Sequence, residues 1–65
     1  MFIKVNIISN KRPIYLNTTK ILWIWKIQHL NGDVTRIQVI DDEFFDVYET
    51  PEEILNLIKG TYINV

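Results

Sequence analysis

The stretch Ile21-Leu22-Trp23-Ile24-Trp25-Lys26-Ile27-Gln28-His29-Leu30 (ILWIWKIQHL) decides the fold, because it reads as a strand that starts apolar on both sides. A strand of a small antiparallel sheet ordinarily has one apolar and one wet face. The partner strand is Val34 to Ile40, reached through Leu30-Asn31-Gly32-Asp33. A two-residue Asn-Gly turn would oppose Leu30 to Asp33 and mix polar with apolar residues on both faces. A three-residue loop Leu30-Asn31-Gly32, with Gly32 as a left-handed bulge, opposes His29 to Asp33, Trp25 to Ile37 and Trp23 to Val39, and the faces then agree. This register predicts that both tryptophans are core, so that Trp25→Ala costs roughly 3 to 5 kcal/mol.

The same parity carries outward. With Asp41-Asp42-Glu43 as a three-residue loop, Val39 opposes Phe45 and Ile37 opposes Val47. One face is then Trp23, Trp25, Ile27, Ile37, Val39, Phe45 and Val47. Its reverse carries a smaller apolar patch of Leu22, Ile24, Ile40, Phe44 and Tyr48 among Lys26, Arg36, Gln38 and Asp46. Upstream, Ile3, Val5 and Ile7 alternate with Lys4 and Asn6 as a strand, Ser9-Asn10-Lys11-Arg12-Pro13 turns the chain, and Ile14-Tyr15-Leu16-Asn17 forms a short second strand.

Downstream, Thr50-Pro51-Glu52-Glu53 opens a helix of about ten residues: a Thr cap, proline at the first helical position, Glu three residues after the cap, and negative charge in the first turn. Ile54, Leu55, Leu57 and Ile58 form its apolar stripe, and Lys59-Gly60 ends it. The tail Thr61-Tyr62-Ile63-Asn64-Val65 is β-prone and suited to pairing within the sheet or with another chain. The expected fold is therefore α+β: one domain over residues 1–65, a small twisted antiparallel sheet of four to five strands, open or curled into a barrel, and one C-terminal helix. That helix covers the tryptophan face. The reverse patch needs another cover, and a second subunit supplies it in a chain too short to do so alone.

At 65 residues there is room for one core, near the lower limit for folding without disulfides or metal. The absence of cysteine removes disulfides and thiolate zinc sites and fits a reducing cytoplasm. MFIKVNIISN does not read as a signal peptide, and no run reaches the ~18 apolar residues of a membrane span, so no membrane insertion is expected. Net charge is −1, yet residues 1–40 carry +5 and residues 41–65 carry −6. In a fold this small the two halves neutralise each other, or they form a basic patch or a charged subunit contact.

Catalytic chemistry finds no foothold. His29 is the sole histidine and sits at a strand end, which excludes a histidine metal cluster; Asp41-Asp42-Glu43 lacks the spacing of a calcium loop; Glu52 and Glu53 serve the helix start; and two glycines make no phosphate loop. The expectation is no enzyme, no metal and no cofactor. General nucleic-acid binding is disfavoured by the acidic second half. A small anion remains a candidate ligand for Lys11, Arg12 and Lys20, with Tyr15 as the aromatic beside them.

The succession of Ile3-x-Val5, Tyr15-Leu16-Asn17, an Ile-rich strand, a glycine turn and Asp46-Val47-Tyr48-Glu49-Thr50-Pro51-Glu52-Glu53-Ile54 resembles the small FlbD/SwrD flagellar family over nearly the whole chain. The usual Leu-Asn-Gly turn of that family is replaced here by Ser9-Asn10-Lys11-Arg12-Pro13, and the Trp23/Trp25 pair is unusual. The resemblance implies a cytoplasmic, non-catalytic accessory protein of flagellar motility; similar modules occur in phages and mobile elements. Two readings follow: a homo-oligomeric interaction module acting on a host or motor protein through Leu22, Ile24, Ile40, Phe44 and Tyr48, or a protein that sequesters a nucleotide in an inter-subunit pocket at Lys11, Arg12, Tyr15 and Lys20.

Overall fold

The computed structural model describes residues 1–30 and 32–60; the tail 61–65, expected to pair as a strand, lies outside the described residues. The chain runs β1 (Phe2–Asn6), β2 (Pro13–Asn17), a single 3-10 turn (Thr18–Lys20), β3 (Ile21–His29), β4 (Gly32–Val39), β5 (Phe44–Val47) and α1 (Pro51–Gly60). The α+β class holds, with small antiparallel sheets and one helix. The strands form two sheets, β1-β2 and β3-β4-β5, and neither closes into a barrel. Closure would need a ladder between β2 and β3. The described residues have none, and Pro13 leaves β2 short of a donor at its first position.

The β1-β2 hairpin pairs Ile3 with Leu16 and Val5 with Ile14, so all four point to one side. Lys11 closes its turn at φ 56°, and the Arg12 N–H donates to the Asn10 side chain at 2.9 Å. Beyond Asn6 the chain bridges to β5. The Ile8 N–H donates to the Asp46 carbonyl, and the Tyr48 N–H to the Asn6 carbonyl, both at 3.0 Å. The hairpin is thereby folded over the three-stranded sheet. Its apolar side meets β4 and β5 in a core of Ile3, Val5, Ile37, Val39, Val47 and Ile54, with Ile14, Leu16, Ile21, Ile24, Phe45 and Ile58 packed around it.

The register of β3 on β4 corrects the expectation. His29 pairs with Gly32, Trp25 with Arg36, Ile24 with Ile37 and Trp23 with Gln38. Only two residues separate the paired positions, and Gly32, at φ +114°, takes up backbone that a side chain would strain. One residue of slip sends every β3 side chain to the opposite face. Ile24 therefore packs on the core, and Trp23, Trp25 and Ile27 turn outward with Arg36 and Gln38. A bulge between Ile21 and Trp23 then shifts the pairing so that Ile21 meets Val39, which returns Ile21 to the core side as well. The inward residues of β3 are three apart instead of two, and a strict period of two could not place both correctly.

On β4-β5 the parity is as expected and the pairing is shifted by two: Thr35 opposes Val47 and Ile37 opposes Phe45. The turn is made by Asp41 and Asp42 at φ 68° and 60°, consecutive left-handed residues of the kind a tight hairpin requires. Ile37, Val39, Phe45 and Val47 accordingly share the inner face.

The helix begins as its sequence predicts. The Glu53 N–H donates to the Thr50 hydroxyl at 3.1 Å, and the Thr50 N–H donates to the Glu53 carboxylate at 2.9 Å, a complete capping box. Ile54 is fully buried and Ile58 half-buried, whereas Leu55 and Leu57 remain exposed, so the working stripe is narrower than the four residues expected. α1 packs against β1 and β3 on the inner side. It does not cover the tryptophans.

Candidate functional site

Strand pairing builds the outer face of β3-β4-β5 as two cross-strand rows, Trp23–Gln38–Phe44 and Trp25–Arg36–Asp46. Trp23 is 58 % exposed, Phe44 49 % and Trp25 37 %, and Tyr48, just past the end of β5, is 55 % exposed. These values are high for large aromatic side chains and mark a surface, not a core. The two indoles lie 6.3 Å apart between ring centroids at 53°, the tilted arrangement in which aromatic edges and faces attract.

Arg36 sits at the centre of this face and is paired with Asp46. Its Nε donates to Asp46 Oδ1 at 2.8 Å and its Nη2 to Oδ2 at 3.1 Å, a fork-on-fork pair across neighbouring strands. The guanidinium carbon lies 4.0 Å from the centroid of the Phe44 ring. The hydrogen bond to Asp46 raises the Arg36 pKa further above its ordinary value, burial opposes this, and the Asp46 charge adds to it. The charge of Arg36 is thus spent inside the molecule, and the face presents aromatic and aliphatic surface with a neutralised ion pair. Toward the β1-β2 turn the same face dips into hollows of about 420 and 260 Å³. Ile8 and His29 line both, with Phe44 and Asp46 on the larger and Val34 and Tyr48 on the smaller.

Of the residues expected at a partner face, Leu22, Phe44 and Tyr48 are exposed. Ile24 is turned to the core by the register, and Ile40 is half-buried with its N–H donating to the Lys20 carbonyl at 3.1 Å. Trp23 and Trp25 take the place of Ile24 on this face, beside Arg36, which was expected there. The signal that would have located them is the apolar pair Ile21 and Ile24 three apart, the mark of a bulge in a strand whose charged partner Arg36 must face out.

The candidate anion residues are divided. Lys11 and Arg12 belong to the β1-β2 turn before Pro13, whereas Lys20 follows the other end of β2; five extended residues separate them by roughly 17 Å. Tyr15 and Lys20 do share a groove of about 420 Å³, with Phe2, Ile40, Asp41 and Glu43. Two carboxylates against one ammonium give that groove a potential that repels a phosphate. No group of three or more histidine, aspartate, glutamate or cysteine side chains suited to holding a metal ion occurs among the described residues, and none of their helices is long and apolar enough to cross a membrane.

No family model, no curated protein and no solved structure matches the chain.

Proposed function

We propose that the chain is a non-enzymatic interaction module that self-associates through the outer face of β3-β4-β5. The observation that carries this reading is the joint exposure of Trp23, Trp25, Phe44 and Tyr48 on one sheet face whose only cation is already paired. Contiguous exposed aromatic surface is the hallmark of protein contact, since burying it releases water without stranding a charge. A base-stacking platform needs free cations beside its rings to hold the phosphates. Arg36 is committed to Asp46, so protein contact is favoured over nucleic acid.

The likeness to the flagellar accessory family suggests the kind of role such a module plays in the cytoplasm, as a small adaptor to a larger host or motor assembly. The residues that carry the likeness have structural work of their own. Glu49 accepts from the Asn6 N–H at 2.9 Å and from its side-chain amide at 2.7 Å, and Thr50 and Glu53 form the helix cap. Sequestration of a nucleotide draws less support, because the groove at Tyr15 and Lys20 is acidic and Lys11 and Arg12 stand at the far end of β2.

Light scattering on the wild type and on a Trp23→Ser/Phe44→Ser variant tests the proposal. The wild type is expected to be oligomeric at micromolar concentration and the variant monomeric, with helix content unchanged because neither side chain is in the core. A wild type that stays monomeric, or a variant that associates as well as the wild type, overturns it.

A further inference from the structure

The outer face adjoins a second feature that makes the mode of association specific. β3 pairs with β4 along one edge only, and among the described residues nothing pairs with its other edge. It is a nine-residue edge strand with no proline and a single lysine. Natural edge strands of this length are ordinarily shortened, charged or covered, because their free N–H and C=O groups template pairing with another chain.

Which of these groups are free follows from β4. The Val39 N–H donates toward β5, to the Glu43 carbonyl at 2.9 Å, and the Ile40 N–H donates toward β3, to the Lys20 carbonyl at 3.1 Å. Backbone groups alternate sides along a strand, so Arg36 and Gln38 point theirs at β3, and their partners Trp25 and Trp23 point theirs back. The groups of Ile24, Lys26 and Gln28 therefore point outward from the free edge.

We infer that two copies of the chain pair antiparallel along this edge, with the two-fold axis at Trp25, giving a continuous six-stranded sheet. This rests on the proposal that the outer face self-associates, and adds the partner's geometry. A two-fold ladder must match outward-pointing residues with outward-pointing residues, which restricts the centre to a residue position on the strand. An axis at Lys26 opposes lysine to lysine. An axis at Ile24 shortens the ladder and draws the bulge at Leu22 into it. The axis at Trp25 is the midpoint of Ile21–His29 and keeps Trp23–Ile27 as a regular ladder, with the bulge at Leu22 falling only at its ends, opposite Gln28. It hydrogen-bonds Ile24 to the partner's Lys26, and the two lysines stand only diagonally, roughly 7–8 Å apart. Trp25 then meets the partner's Trp25 as a close non-hydrogen-bonded pair, Trp23 meets the partner's Ile27, and four tryptophans join in one outer stripe.

Cysteine scanning tests this cleanly, because the chain has no cysteine of its own. At the two-fold axis Cα atoms are about 4.5 Å apart, within disulfide range. Residue 23 is separated from its own copy by four residue steps, roughly 13 Å, and cannot bridge. Under mild oxidation Trp25→Cys is expected to form a cross-linked dimer, and Trp23→Cys is expected to remain uncross-linked. Lys26→Pro removes only an outward-pointing donor and should weaken association at least tenfold in sedimentation while helix content persists. The amides of Ile24 and Lys26 should exchange slowly, and faster on dilution. If the wild type associates but Lys26→Pro associates equally well, or Trp23→Cys cross-links as fast as Trp25→Cys, edge pairing is wrong while association through the outer face stands. A wild-type monomer with fast Ile24 and Lys26 exchange overturns both. A wild-type monomer with slow exchange at these amides also overturns the pairing, and means that another segment of the chain covers the edge.

Discussion

The two faces of β3-β4-β5 are made from the same strands and differ in what they touch. The inner face carries Ile24, Ile37, Val39, Phe45 and Val47 against the β1-β2 hairpin and α1, with Ile37 and Val47 wholly buried. The outer face carries both tryptophans and Phe44, together with the forked Arg36–Asp46 pair, and they remain partly in solvent. Bulk and hydrophobicity do not by themselves bring a residue inside. Branched Ile and Val fill the narrow space between a short hairpin, a ten-residue helix and a three-stranded sheet, and the indoles, which have no layer above them among the described residues, form an exposed surface.

If that contrast is correct, the largest loss of stability comes from the inner face. Ile37→Ala should cost about 2–5 kcal/mol, most of the stability available to a domain of this size, and urea titration should find the variant largely unfolded. Trp25→Ala removes a larger side chain from the outer face, yet should cost only about 1–2 kcal/mol at a concentration where the protein is monomeric. A loss equal to that of Ile37→Ala would erase the distinction between the faces.

The helix that closes the inner face provides a smaller test. Thr50→Ala breaks one half of the capping box and should cost about 1 kcal/mol, with Glu53→Ala close to it and the double variant less than the sum, since each partner needs the other. On the outer face, a double-mutant cycle on Arg36 and Asp46 should return a coupling of ~0.5–1 kcal/mol, because the pair is forked but still partly in water. The smallest expected effect sharpens the reading of the groove at Lys20. Mono-, di- and cyclic nucleotides at millimolar concentration should leave the melting temperature unchanged, and Lys20→Gln should not alter that result. A rise that Lys20→Gln abolishes would restore the anion site.

Local chemistry was legible along the chain. Thr50, Pro51 and Glu53 define the helix start through bonds spanning three residues, and the alternation of Ile3 and Val5 with Lys4 specifies β1. The parity of β4 against β5 also followed from sequence, because any three-residue turn at Asp41 keeps Ile37, Val39, Phe45 and Val47 on one face. The candidate site was not legible in the same way. Its location depends on whether Trp25 opposes Ile37 or Arg36, a choice of one residue in register that face matching, set against the two-residue turn preference, resolved toward the wrong answer.

Sequence alone determined which segments are strands, where the helix begins, and that the chain carries more apolar surface than one small core can absorb. Only the tertiary structure decided which apolar residues are the surplus. The bulge at Leu22 and the two-residue connection between His29 and Gly32 send Ile21 and Ile24 inward together, and leave Trp23 and Trp25 outside. The reason is physical: a helix cap or strand period is satisfied by neighbours a few residues away, whereas a register is selected by how well whole layers pack, and its energy lies in contacts between Ile3, Val5, Ile37, Val47 and Ile54, which come from four separate elements.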